Sequence, residues 1–131
     1  MTDVFLGFEF SVLAEGARIP PHTDVPTKLL SLMLYFPASG QTQLPLGTEF
    51  YTAKPGRVTQ RKFDSQMPDD DETEAFLEDH ECFLQPPFTG CKLVGFVKSD
   101  ISWHGLGRVD PGPVGRRTVV INYFHRHRTR E

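Results

Sequence analysis

The chain is 131 residues long, the size of one domain with a sizeable core. Its formal charge of −3 argues against general affinity for polyanions, so no nucleic-acid partner is expected. No apolar run approaches the roughly 20 residues of a membrane-spanning helix, so no membrane association is expected either.

The opening MTDVFLGFEF has no basic start and is interrupted by Glu9, so it does not read as a signal peptide. Cys82 and Cys91 form no CxxC pair. They read as free thiols in a reducing cytoplasm, with a single disulfide as the alternative.

In chain order, Val4 to Leu13 reads as one or two strands. Ala17 to Ile19 leads into Pro20-Pro21, which favours an extended approach to His22. Leu29 to Phe36 is a strong strand closed by Pro37, and Gly47 to Ala53 is another. Asp69 to Phe83 reads as a helix opened by acids, as a helix N-terminus prefers, with Phe76, Leu77 and Phe83 as its apolar side. The long segment from Ala53 to Pro87 carries Lys54, Arg57, Arg61 and Lys62 before the acid run and is expected to form a rim or lid. Lys92 to Val97 and Ile101 to His104 read as strands, with Cys91 as a core residue at the start of the first. Thr118 to Phe124 (TVVINYF) is the clearest strand, and His125-Arg126-His127-Arg128 reads as a basic surface tail. Eleven glycines and eleven prolines punctuate these runs, and helical periodicity is nearly absent between them. The expected fold is all-β dominated. Residues 1–131 form a single domain, an antiparallel barrel or sandwich with one short helix or loop insertion.

Chemistry gathers around His22-Thr23-Asp24. In an extended chain a two-residue step places His22 and Asp24 on one side. A histidine from a distant strand would complete two imidazoles and one carboxylate on one face of a metal, leaving positions open, as suits non-haem Fe(II). His104, flanked by Trp103 and Gly105, ends a predicted strand. Arg116 lies 12 residues beyond it, at the start of the last strong strand. Alone, an HxD triplet is more often a surface hydrogen bond. The ordered set, each member at a strand edge, is more specific.

With these residues the chain resembles the Fe(II)- and 2-oxoglutarate-dependent oxygenases, particularly the prolyl-hydroxylase-like branch. SLMLYFP (Ser31 to Pro37), Leu46-Gly47-Thr48-Glu49-Phe50 and CKLVGFVKSDISWHG resemble stretches of that superfamily, and the likeness runs from about residue 10 onwards. It implies a double-stranded β-helix (jelly-roll, cupin-like) core with Fe(II) held by His22, Asp24 and His104. It implies 2-oxoglutarate and O2 as cosubstrates and hydroxylation of a small-molecule or peptidyl substrate, with release of succinate and CO2. Retention of Asp24 favours hydroxylation over halogenation.

The far carboxylate of 2-oxoglutarate is assigned to Arg116, since Arg116-x-Thr118 fits the family pattern better than Arg117-x-Val119. Arg117 remains the alternative. A planar guanidinium suits a bidentate grip on a carboxylate. Tyr35, sharing an inward face with Ser31 and Met33, stands where relatives place a supporting tyrosine, with a plain core aromatic as the other reading. Thr48 is a further candidate for the pocket. Trp103 is expected to pack beside His104 and steady it, and Asn122 to face the metal region.

Members usually carry helices before the barrel, whereas this sequence begins almost at the first core strand. The chain is then a minimal form, a fragment, or a subunit whose support comes from a homo-oligomer or a partner subunit. Two other readings differ in kind. One is a cupin-like module that binds a ligand or partner without turnover. The other is a zinc site of His80, Cys82, Cys91 and His104, whose spacing matches no common zinc framework.

Overall fold

The computed structural model of the chain describes residues 2–58, 63–64 and 66–127. Arg61, Lys62 and Arg128 lie outside them. The described elements are β1 (Thr2–Leu13), β2 (Ile19–His22), β3 (Lys28–Tyr35), β4 (Glu49–Ala53), α1 (Asp70–Asp79), β5 (His80–Leu84), β6 (Leu93–Val97), β7 (His104–Leu106) and β8 (Arg116–His127). The strands form two four-stranded sheets, ordered β1-β8-β3-β6 and β2-β7-β4-β5, and every pairing is antiparallel. The molecule is therefore mostly β with one α-helix among its described residues. No helix among them is long and apolar enough to cross a membrane.

Alternation along β3 sets the inner face of the first sheet. Ser31, Met33 and Tyr35 are buried, and they lie opposite Asn122, Val120 and Thr118 of β8. Met33 and Tyr35 meet Leu46, Phe50 and Phe88 in one cluster, which joins the first sheet to β4 of the second. Tyr51 follows Phe50 and points to the opposite side of its strand, as the two-residue strand period requires. It joins Phe76 and Trp103 in a second cluster beneath α1. The second sheet thus has a cavity side and a helix side. The chain crosses between the two within single residue steps, at Phe50/Tyr51 and at Trp103/His104.

α1 begins with a capping box. Asp69 Oδ1 accepts from the Glu72 amide at 2.8 Å and Glu72 Oε1 accepts from the Asp69 amide at 3.2 Å. Three acids in the first turn complement the helix dipole.

The helix ends at Asp79 and does not reach Phe83 as expected. His80 is extended, and the chain from there pairs with β4 as β5, so cross-strand hydrogen bonding replaces the helical ladder. Phe76 is buried and Leu77 is partly buried, but Phe83 is exposed on β5. Part of the expected rim is therefore sheet.

Ile101 is exposed and precedes β7, because Ser99 and Ser102 bond locally to the backbone and hold a turn there. Cys91 is exposed at φ +58 and not a core residue, and Cys82 is exposed as well; both are free. β8 runs further than expected. His125 and Arg126 are part of it, paired with Val4 and Asp3 of β1, and are not a tail.

Candidate metal centre

β2 ends at His22, and β7 starts at its cross-strand partner His104. That pairing brings the two rings to a centroid separation of 4.3 Å. Gly105 permits it: a Cβ there would stand 2.4 Å from the Ile19 carbonyl oxygen.

Asp24 does not reach the site by strand alternation. It lies beyond β2 at φ +75, a left-handed conformation that aspartate tolerates better than most residues. This turn folds its carboxylate back onto both histidines. Asp24 Oδ1 is 2.9 Å from His22 Nε2, and Asp24 Oδ2 is 3.3 Å from His104 Nε2. One ligand atom from each of the three residues falls within a mutual 4.8 Å.

Backbone carbonyls fix the tautomers. His22 Nδ1 lies 2.8 Å from the Pro20 oxygen, and His104 Nδ1 lies 2.8 Å from the Ser102 oxygen. A carbonyl only accepts, so each Nδ1 carries a proton and donates it. In the neutral rings Nε2 is then a lone pair, and both lone pairs aim at the Asp24 carboxylate. Lone pairs facing an anion at these distances repel unless a proton or cation lies between them.

Burial favours the cation. It pulls the His104 imidazolium below its ordinary value, against the opposing pull of Asp24. Burial alone would raise the Asp24 carboxyl, but the His104 and His22 rings, when protonated at Nε2, donate to it and attract it, which outweighs burial and holds Asp24 well below the usual carboxylate range. Asp24 Oδ2 is buried and accepts no well-directed hydrogen bond. Lys28 Nζ approaches it to 3.0 Å, close enough for charge attraction without the angles of a hydrogen bond. The donor set therefore fits a divalent cation on one face: two neutral imidazoles and one ionised carboxylate.

The same cavity, about 270 Å³, has Arg116 at another part of its wall. Arg116 is 3% exposed. Its Nε donates to the Leu46 carbonyl, and one terminal nitrogen lies 3.4 Å from Thr48 Oγ1. Tyr35 and Phe88 flank the guanidinium, with ring centroids 5.6 and 5.4 Å from its central carbon. No carboxylate of the described residues pairs with it. Burial lowers its pKa from a very high ordinary value, but arginine stays charged in proteins. A buried cation without an acid partner is a site for an anionic ligand.

No protein-family model, curated protein or solved structure matches this chain.

The remaining expected residues distribute as follows. Arg116 lines the cavity and Arg117 does not; Arg117 points to the outer face of its sheet, with Nε buried and without an acceptor among the described residues. The Tyr35 hydroxyl donates to Thr48 Oγ1 at 3.1 Å and accepts from the Thr48 amide at 2.9 Å, so these two brace each other beside Arg116. Asn122 lines the cavity and accepts from Ser31 Oγ at 2.7 Å.

Trp103 does not stack on His104. Its ring packs against Phe76 and His80 on the helix side of the sheet. Phe96 and Phe50 border the His104 ring instead, at 4.2 and 6.4 Å between centroids. The zinc set does not assemble. His80 is stacked on Phe76, and the one potential ligand group among the described residues is His22, Asp24 and His104.

Sequence reasoning passed over Lys28, Phe88 and Gln41. Gln41 is buried, and its amide nitrogen donates to the Pro111 and Gly115 carbonyls at 2.8 and 2.9 Å, which fixes the turn that delivers Arg116. A charged residue four positions after Asp24 was the available signal for Lys28. Phe88 and Gln41 carried no pattern, because long-range folding alone brings them in.

Proposed function

We propose that the chain is an Fe(II)- and 2-oxoglutarate-dependent oxygenase that hydroxylates its substrate with release of succinate and CO2. The observation that carries this reading is one cavity holding both a two-histidine, one-carboxylate cluster and a buried arginine with no acid partner. Strand orders 1-8-3-6 and 2-7-4-5 in facing antiparallel sheets support a jelly-roll core of the double-stranded β-helix kind.

His22, Asp24 and His104 would hold the iron, which supplies the oxygen chemistry when bound. The Pro20 and Ser102 carbonyls keep both imidazoles in the ligating tautomer. Arg116 binds the far carboxylate of 2-oxoglutarate, with Thr48 and Tyr35 holding the guanidinium's surroundings in place. Lys28 balances the Asp24 charge from the cavity side and stays near it. Phe96 and Phe50 press on His104 and keep that flank of the site apolar.

The test is uncoupled turnover. Incubation with Fe(II), 2-oxoglutarate and O2 is expected to release succinate and CO2 in equal amounts, and His104→Ala is expected to abolish release. Protein that binds both iron and 2-oxoglutarate yet forms no succinate would instead be a binding module.

A further inference from the structure

The outer face of the β1-β8-β3-β6 sheet, turned away from the cavity, is apolar over all four strands. Val4, Leu6, Phe8, Phe10 and Val12 share one side of β1, opposite β8 residues that also point outward. Phe8 and Phe10 are 65% and 85% exposed. Leu30, Leu32 and Leu34 of β3 continue the surface beside Val119 and Ile121. Leu93 and Val97 of β6 close it at the far edge, Val97 being 73% exposed.

At the fractional exposures of these residues the face presents on the order of 800 Å² of mostly apolar surface. That exceeds the few hundred Å² of most monomer patches and equals one partner's share of a standard stable interface. The polar side chains described on this face are Arg117, Tyr123 and His125 of β8, with Arg117 and His125 toward its two ends. An apolar centre with polar ends is the anatomy of a protein–protein contact.

We infer that this face is the interface of a homodimer, in which the outer sheet of one chain packs on the same sheet of a second copy. Width excludes a single helix as the occupant. Four strands span about 15 to 20 Å, whereas a single helix covers about 10 Å and leaves an edge strand bare. A second sheet of equal width covers all four. Self-complementarity under two-fold symmetry needs only that the patch be apolar throughout, and no acidic side chain interrupts it. Among the described residues the face also lacks the cluster of lysines and arginines that draws a protein onto an anionic lipid surface. This inference does not depend on the metal.

Sedimentation velocity of the full chain at tens of micromolar tests it. The wild-type chain is expected to sediment as two copies. Phe10→Asp and Val97→Asp, at opposite edges of the face, should each weaken association at least ten-fold. Ile101→Asp, exposed but off the face, should leave it unchanged, and circular dichroism should match wild type in all three. A wild-type monomer overturns the proposal, and so does a dimer indifferent to both face substitutions. A monomer that instead floats with anionic phospholipid vesicles overturns it too, in favour of a membrane surface.

Discussion

Replacing Arg116 by alanine removes a buried guanidinium whose charge no neighbouring acid answers. Loss of one charge-assisted contact of about 1.5 to 3 kcal/mol predicts 2-oxoglutarate binding weaker by about 10- to 100-fold. Arg117→Ala should stay within about twofold, since Arg117 faces away from the cavity. Isothermal titration of the metal-loaded protein checks both, and the reverse order would mean a register slipped by one residue. Acid should also act through the site. His104 sits below its ordinary 6.5 because it is buried. Below pH 6.5 the unfolded chain therefore takes up a proton that the folded chain resists, so stability present above that pH is lost as pH falls. Asp24, held down by the two imidazoles, adds a loss of the same sign under stronger acid, below its ordinary 3.8. The urea midpoint of metal-free protein should drop between pH 7.5 and 5.5, and His104→Asn should flatten that drop. The grouping of the candidate ligands was legible, because HxD, a distal histidine and an arginine are chemically distinctive. The route was not. Contact between His22 and Asp24 depends on a left-handed backbone at Asp24, and a two-residue spacing does not encode that.

Elements hold the site by approach as much as by contact. β7 lies so close to β2 that a methyl group at Gly105 would collide with the Ile19 carbonyl. Gly105→Ala should therefore part His104 from His22 and lower metal affinity at least about tenfold, as changes to metal-supporting groups do. Titration with Mn(II) followed by electron paramagnetic resonance measures that loss. On the helix side, Phe76 fills the space between Tyr51, Trp103 and His80. Phe76→Ala should cost about 3 to 5 kcal/mol in urea unfolding. Strands were legible from their alternation and β-branched content, and the start of α1 from its acids. The helix end was not, because nothing local in EDHECFL distinguishes a last helical turn from β5. Only the presence of β4 alongside makes the extended form the better bonded one.

At the scale of the whole molecule, the two sheets line the cavity of the candidate site, and its chemistry comes from residues 22 to 116 of the chain. Ligands drawn from β2, the loop after it and β7 tie together parts of the chain that only the folded state brings near. Metal at about 100 times its dissociation constant should therefore stabilise the protein by about 2.7 kcal/mol. Pairing of distant strands could be expected from the sequence only as a class, antiparallel and layered, because strand order is set by long-range closure. Central to the account is the proposal that His22, Asp24 and His104 hold iron in the cavity where Arg116 would hold 2-oxoglutarate. Anaerobic absorption spectroscopy with Fe(II) and 2-oxoglutarate tests it most directly. A weak visible charge-transfer band is expected in the wild-type protein, absent from Asp24→Ala. Folded, metal-retaining wild-type protein that shows no such band would contradict it.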